Sequence, residues 1–135
     1  MTTSENNGEN EPAPEGDLAI RTLAMPADTN PQGDIFGGWV LSQMDITGGV
    51  VATELSKGRA VTVSVDSMTF HRPVLVGDVL CCYAKVLKVG RSSMKIKIEA
   101  WVRRDYHGFK VTEGIYTYVA VDKDRRPRPV PKFKS

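Results

Sequence analysis

The sequence predicts an α+β domain in which one long central helix is wrapped by a curved five-stranded antiparallel sheet. Apolar residues recur at helical spacing over residues 37–57, and four extended stretches separated by short turn-rich segments follow. Strands joined by tight connections pair antiparallel, and one helix has to cover the apolar face of the sheet. The most economical arrangement therefore curls the sheet around the helix.

Composition predicts one globular domain with polar ends of opposite charge. The 135 residues are 41% hydrophobic and 25% charged, which suits a single domain with a substantial core. Residues 1–17 are acidic and lack periodicity, so we expect a disordered leader. Residues 18–122 are predicted to form the domain, and the basic, proline-rich residues 123–135 an extended, solvated tail.

The domain is predicted to begin with a short strand, a loop and the helix. The strand covers residues 18–25, and the loop covers residues 26–34, which are dense in turn-forming residues. The apolar stripe of the helix consists of Val40, Leu41, Met44, Val51, Ala52 and Leu55. Asp34 is the candidate N-cap of this helix and Gly58 its candidate C-cap.

The paired glycines Gly48 and Gly49 are unusual inside a helix. Each costs roughly 1 kcal/mol relative to alanine at such a position. Their presence predicts that another backbone passes very close to the helix, either the wrapping sheet or a twin helix.

Four strands are predicted after the helix, over residues 60–72, 78–89, 92–104 and 111–121. The third alternates most clearly, with Met94, Ile96, Ile98, Ala100 and Val102 on one face. The segment Tyr106-His107-Gly108 provides turn chemistry before the last strand. The predicted order is strand, helix and then four consecutive strands.

Charge and cysteine usage argue against several functional classes. A net charge of +2 does not favour nucleic-acid binding. The first residues lack signal-peptide character and no uncharged apolar run approaches membrane-spanning length, so we expect a cytoplasmic protein with no membrane partner. Cys81 and Cys82 are neighbours in a predicted strand and suit neither a mutual disulfide nor a chelate. The scattered acids and histidines predict no metal site.

The loop that leads into the helix is the most informative segment, because an acid follows it in an apolar run. The loop reads Asn30-Pro31-Gln32-Gly33-Asp34-Ile35-Phe36-Gly37-Gly38-Trp39, and Asp45 lies two turns into the helix. Unpaired N–H groups at a helix start favour negative charge. They are suited to hold a developing oxyanion while Asp45 activates water or attacks directly, which is the outline of a hydrolytic site.

Each of these residues also has a structural interpretation. Asp45 is explained as well by structural capping as by catalysis, although its apolar neighbours predict that it is partly buried. Asn30 precedes a proline and is suited to shape a turn through its side chain. Gly37 and Gly38 allow tight packing at the helix start.

Three motifs, together with the order of the elements, resemble the hotdog-fold acyl-CoA thioesterases of the YciA-like branch. The likeness spans residues 18–130, and several separated motifs in the right order are more specific than any one of them. The motifs are Asn30-x-x-Gly33-x-x-Phe36-Gly37-Gly38-Trp39 with Met44-Asp45, Phe70-His71-Arg72-Pro73-Val74-x-x-Gly77-Asp78, and Val89-Gly90-Arg91-Ser92-Ser93.

The resemblance implies a role for each residue of the loop and helix. Asp45 falls on the position of the thioesterase carboxylate, and Gly38 becomes the better oxyanion donor, with Gly37 as its neighbour. In related enzymes the residue matching Asn30 acts from the opposite subunit. The implied reaction hydrolyses acyl-CoA to free coenzyme A and a carboxylic acid without metal or other cofactor, with Asp45 as general base or as nucleophile.

The resemblance also implies how coenzyme A is bound. Cations and turn N–H groups bind phosphates, although surface solubility explains such residues equally well. The candidate ligands are Arg72, Gly90, Arg91, Ser92 and Ser93.

His71 is interpreted as structural or peripheral, because it lies in a predicted strand far from the helix entrance. This position disfavours a hotdog 3-hydroxyacyl dehydratase, which would need a histidine there. A non-catalytic acyl-CoA sensor is the other alternative.

Oligomerisation is expected because one sheet around one helix leaves a sheet edge and an apolar groove exposed. We predict a homodimer as the minimal unit, and the resemblance implies further assembly into a hexamer, as a trimer of dimers.

Overall fold

The computed structural model describes residues 13–131, and its elements follow the predicted order. The remainder of the expected leader and tail, residues 1–12 and 132–135, lies outside the described residues. A single turn of 3-10 helix at Pro26–Asp28 lies in the loop. The main elements are β1 (Asp17–Leu23), α1 (Gly37–Ser56), β2 (Ala60–Phe70), β3 (Val79–Val89), β4 (Ser93–Arg104) and β5 (His107–Ala120).

The five strands form one sheet in the order β1-β3-β4-β5-β2, and every neighbouring pair is antiparallel. Strands β3, β4 and β5 pair in succession, as their tight connections predicted. The same expectation is wrong for β2, which pairs with β5 instead of β3. The connection at residues 71–78 crosses from β2 at one edge of the sheet to β3, which lies next to β1. Strands β1 and β2 are the two edges of the sheet.

The core lies between α1 and the concave face of the sheet. The predicted inward face of β4 is confirmed, because Met94, Ile96, Ile98, Ala100 and Val102 are all completely buried. The helix buries Val40, Met44, Thr47, Gly48, Ala52 and Ser56. Burying one large aliphatic side chain contributes about 1.5–3 kcal/mol, so this layer holds the helix in place.

Both ends of α1 differ from the prediction. The N-cap is Phe36, because the N–H of Asp34 is bonded to Asn30 Oδ1 at 3.0 Å and closes a turn before the helix starts. At the other end Lys57, with φ 55°, adopts the left-handed conformation expected of Gly58. The absence of a side chain at Gly58 instead leaves room for the guanidinium of Arg128.

The sheet does approach α1 at Gly48, but through a side chain and not through its backbone. A Cβ at Gly48 would overlap the hydroxyl and ring of Tyr118, so a side chain approaches the helix there and not a backbone. Within residues 13–131, no atom lies within 4 Å of a Cβ built at Gly49.

The β4–β5 connection is tighter than predicted. Asp105 and Tyr106 have φ values of 52° and 67°, as in a type I′ hairpin, whose twist matches that of the strands. The last strand therefore begins at His107 and not at Val111, and His107 and Gly108 belong to the strand and not to the turn.

The described part of the C-terminal segment packs on the domain at Arg128 and Val130, whereas Arg126, Pro127, Pro129 and Pro131 are exposed. Val130 is buried, and its N–H donates to the carbonyl of Arg91 at 2.7 Å. Arg128 donates to the carbonyls of Val121 at 2.8 Å and Ser56 at 2.9 Å. The segment therefore joins the end of α1 to the β3–β4 turn.

Two of the exclusions drawn from the sequence concern cysteine chemistry and membrane-spanning segments. Cys81 and Cys82 are free and buried. Among residues 13–131, no helix has the length and apolar character needed to cross a membrane.

Candidate active site

Asp45 lies on α1 where the helix faces the β2–β5 strand pair. Its Oδ1 accepts hydrogen bonds from Thr62 Oγ1 at 2.7 Å and from the Tyr118 hydroxyl at 2.9 Å. Thr62 and Tyr118 are direct cross-strand partners on β2 and β5, so the register of these strands brings both hydroxyls to one oxygen. The side chain is half-buried, as its apolar neighbours predicted.

The second carboxylate oxygen of Asp45 is available for chemistry. Within residues 13–131, no hydrogen bond reaches Oδ2, whereas Oδ1 has two donors. An oxygen without a donor is suited to accept a proton from water or to attack an electrophile.

Two stacked tyrosines support the helix from β5. The rings of Tyr116 and Tyr118 have centroids 6.3 Å apart and an interplanar angle of 13°. The Tyr116 hydroxyl donates to the Leu41 carbonyl at 3.1 Å. Burial raises the pKa of both hydroxyls, and the hydrogen bond to Asp45 raises that of Tyr118 further. Tyr118 therefore stays a hydrogen-bond donor throughout the ordinary pH range.

The first N–H groups of α1 are open. Within residues 13–131, the amides of Gly37 and Gly38 donate no hydrogen bond, and the helix has no side-chain cap. No atom lies within 4 Å of a Cβ built at Gly38, whereas one at Gly37 would contact Phe70 at 3.8 Å. A substrate oxygen therefore has access to the helix start.

One protomer does not bring the helix start and Asp45 together. Gly38 and Asp45 are seven residues apart on the same helix, which corresponds to about 10 Å along its axis. A single reacting carbonyl cannot lie within hydrogen-bond distance of both.

Asn30 shapes the loop that leads to the helix. Its Oδ1 accepts the N–H groups of Gln32 and Asp34, both at 3.0 Å. This is the turn-forming role that the sequence left open for Asn30. Within the described residues, no hydrogen bond joins Asn30 to Asp45.

The candidate coenzyme A ligands lie in two separate regions. The β3–β4 turn, which holds Gly90, Arg91, Ser92 and Ser93, closes through the Gly90 N–H bond to the Ser93 carbonyl at 2.8 Å. A groove of about 950 Å³ lies beside it, lined by Leu55, Val89, Gly90, Arg91, Pro129, Val130 and Pro131. The groove is next to the C-terminal end of α1.

Arg72 lies at the opposite end of the sheet. Its guanidinium is 4.7 Å from the ring centroid of Phe109, and Phe109 pairs with Val102 near the β4–β5 turn. The structure thus separates Arg72 from the β3–β4 turn within one protomer.

His71 contacts the sheet and not the acid on the helix. Its Nε2 is 3.6 Å from Glu113 Oε2, and its N–H donates to the Val111 carbonyl at 2.7 Å. This position agrees with the peripheral role predicted from the sequence.

Sequence reasoning missed Thr62 and Tyr118. Both lie in predicted strands, but only the pairing of β2 with β5 places them opposite each other. The one sequence signal that pointed to Tyr118 was the glycine at position 48, which the tyrosine requires.

A long helix wrapped by a five-stranded antiparallel sheet, with an acid halfway along the helix, is the architecture of the hotdog-fold thioesterases. The family model of the Thioesterase superfamily matches residues 32–107, and the chain belongs to this superfamily. The predicted fold class is thereby confirmed.

Close relatives agree with this membership. The chain is 54% identical over 136 residues to the acyl-CoA thioester hydrolase YciA of Salmonella typhimurium, covering 97% of this chain and 98% of the relative. A hexameric thioesterase from Yersinia pestis is 56% identical with a TM-score of 0.87, covering 90% of this chain and 100% of that one.

A hexameric broad-specificity acyl-coenzyme A thioesterase is 51% identical with a TM-score of 0.88, covering 92% of this chain and 87% of that one. The same enzyme has been solved with one aspartate replaced by alanine. These relatives confirm the predicted YciA-like branch and the class of hydrolase. The roles of individual residues stay predictions.

Proposed function

We propose that the protein hydrolyses acyl-CoA thioesters to free coenzyme A and a carboxylic acid, with Asp45 as the reacting carboxylate. One observation carries this proposal: Asp45 is half-buried, two hydroxyls hold its Oδ1, and Oδ2 is left without a donor in the described residues. The names of the relatives support the substrate class. We expect the reaction to take place in the cytoplasm.

We infer that two protomers complete each site. Asp45 and Gly38 are about 10 Å apart along one helix, whereas an oxyanion donor has to lie about 3 Å from the reacting oxygen. If two copies of α1 pack antiparallel across a two-fold axis, Gly38 of one copy approaches Asp45 of the other. Asn30, just before the helix start, would then act from the same copy as Gly38.

The surface around Asp45 is suited to such pairing. Phe36, Ile46 and Val50 expose apolar surface on or beside α1, and Val63 and Val65 do so on β2. Strand β2 is also a sheet edge, and an unpaired edge is a template for another strand. We therefore propose a homodimer through this face, with three dimers forming a hexamer like those of the relatives.

The chemistry needs no group beyond the chain and water. In the general-base route, Asp45 Oδ2 accepts a proton from water while the water oxygen attacks the thioester carbon. The oxyanion is stabilised by the Gly38 N–H, with Gly37 beside it. Collapse breaks the C–S bond, and the thiolate of coenzyme A takes up the proton.

In the nucleophilic route, Asp45 Oδ2 attacks the thioester carbon and expels the thiolate to give a mixed anhydride, which water then cleaves. A single turnover in water labelled with oxygen-18 separates the two routes. Label in the Asp45 carboxylate supports an anhydride that water cleaves at the aspartyl carbon, and label confined to the product acid rejects that cleavage.

We propose that the two candidate ligand regions contact coenzyme A in different sites of the oligomer. The β3–β4 turn would bind a phosphate of one coenzyme A molecule through Gly90, Arg91, Ser92 and Ser93. Arg72 would bind a phosphate of a second coenzyme A molecule. Within one protomer the two regions lie at opposite ends of the sheet, which is the reason for this assignment.

Release of free thiol from short, medium, long and aromatic acyl-CoA substrates tests the function. We expect turnover by the wild-type protein and none above background by Asp45→Ala. Binding of acyl-CoA without thiol release would instead identify a sensor. Conversion of 3-hydroxyacyl-CoA without thiol release would identify a dehydratase. The position of His71 beside Glu113 argues against a dehydratase.

A further inference from the structure

We propose that Tyr118 is a positioning residue for Asp45, and that Gly48 serves to let the tyrosine reach it. The inference rests on the proposed hydrolysis and goes beyond it, because it assigns roles to two residues outside the loop and helix motifs. It also explains a glycine that the helix would otherwise disfavour.

The Tyr118 hydroxyl lies between two acceptors of the same residue. It is 2.9 Å from Asp45 Oδ1 and 2.9 Å from the Asp45 backbone carbonyl. Tyr118 is 1% exposed, so its ring is fixed by packing and its hydroxyl has a defined position. Its one proton is shared between these two acceptors, which ties the side chain of Asp45 to the helix turn that carries it.

Gly48 is the structural condition for this contact. A Cβ at position 48 would occupy the space of the Tyr118 hydroxyl and ring. Glycine in a helix interior costs about 1 kcal/mol relative to alanine, and here that cost allows the ring to lie directly against the helix backbone.

The consequence for the carboxylate is a fixed orientation. With donors from β2 and β5 on Oδ1, rotation of the carboxylate would break two hydrogen bonds. Oδ2 is therefore the oxygen presented to water or thioester. Removing the Tyr118 donor leaves only Thr62 to resist this rotation, and a small misplacement of a reacting group costs up to about 100-fold in rate.

Tyr116 supplies a matched control. Its ring stacks on Tyr118, it is equally buried, and its hydroxyl also donates to a helix carbonyl, that of Leu41. Tyr116→Phe and Tyr118→Phe each remove one buried hydroxyl between β5 and α1, but only Tyr118 touches Asp45.

The experiment compares kcat, KM and urea unfolding of the two variants. We expect similar losses of stability, a fall in kcat of about 10- to 100-fold for Tyr118→Phe, and a change within about twofold for Tyr116→Phe. KM should change little in either. Equal kcat losses in the two variants, or a Tyr118→Phe loss that appears only in KM, overturn the inference.

Asp45→Asn separates this inference from the proposed function. If Asp45→Asn keeps its activity, the proposed function of Asp45 fails. If Asp45→Asn is inactive while the two tyrosine variants behave alike, only the role of Tyr118 fails. In the Asp45→Asn background, Tyr118→Phe should cause no further loss of the residual rate.

A measurement that keeps the Tyr118 side chain decides the matter if Tyr118→Phe does not fold. Tyrosine labelled with carbon-13 at Cζ gives one NMR signal per ring, and Tyr83→Phe, Tyr106→Phe and Tyr116→Phe assign the four signals. Because the Tyr118 hydroxyl donates to Asp45 Oδ1, its signal should move between the wild type and Asp45→Asn, and more than the Tyr116 signal. A Tyr118 signal that is unchanged by this substitution overturns the proposal.

Discussion

The two ends of helix α1 differ in how their terminal backbone groups are satisfied. At the start, the N–H groups of Gly37 and Gly38 have no acceptor within residues 13–131. At the end, Lys57 turns left-handed and the Arg128 guanidinium donates to the Ser56 carbonyl at 2.9 Å. Unsatisfied groups normally find partners. We therefore propose that the closed end holds the fold and that the open end binds a ligand.

The largest expected effect comes from Asp45, which lies in the open half of the helix. Asp45→Asn should lower kcat by about 10²- to 10⁴-fold, because the base or nucleophile is lost. Stability should change little, since an amide oxygen still accepts from Thr62 and Tyr118. Thiol release and urea unfolding measure the two effects. A variant with near wild-type kcat would contradict the proposed chemistry.

Gly38→Pro tests the open end directly. Proline in the first turn of a helix removes an N–H that has no intrahelical acceptor, so the fold should tolerate it. We expect kcat to fall about 10²- to 10³-fold through loss of an oxyanion donor. Gly38→Ala keeps the N–H and has space for its methyl group. Its kcat should therefore fall much less than that of Gly38→Pro. Equal losses in steady-state assays would show that Gly38 acts through space alone.

Arg128→Ala tests the closed end. The guanidinium donates to three backbone carbonyls, those of Ser56, Arg59 and Val121. Its removal should lower the free energy of unfolding by about 2 kcal/mol, with kcat within about twofold of wild type. Arg128→Lys should recover part of the loss. A stable but inactive Arg128→Ala protein would reverse the assignment of the two ends.

The smallest expected effect concerns the buried face of the sheet beneath the helix. Burial raises the pKa of Cys82 from 9.0 to about 12. Below pH 9 the thiol is protonated in both states, so it adds no pH dependence. Between pH 9 and 12 the unfolded chain ionises first, and stability should fall as pH rises. Urea unfolding from pH 8 to 10 should show a shallower decline for Cys82→Ala, and parallel curves would argue against the shift.

Local patterns in the sequence were sufficient to predict the helix, the five strands and the partial burial of Asp45. Each of these depends on residues close together in the chain. The long helix and the alternation of β4 needed only the periods of 3.6 and 2 residues. The burial of Asp45 followed from its apolar neighbours.

Features that depend on distant pairings could not be predicted in the same way. The meeting of Thr62 with Tyr118 requires the register of β2 on β5, strands far apart in sequence. Arg128 reaches the end of α1 only because the C-terminal segment folds back. The left-handed residue is Lys57, and the space left by Gly58 accommodates that guanidinium, which the local sequence alone does not indicate.

Strand β2 is at once a rim of the sheet and the carrier of the Thr62 hydroxyl. Engineering that rim to create a new quaternary arrangement would therefore alter the surroundings of the Asp45 carboxylate as well. On this scaffold, architecture and turnover would have to be redesigned together.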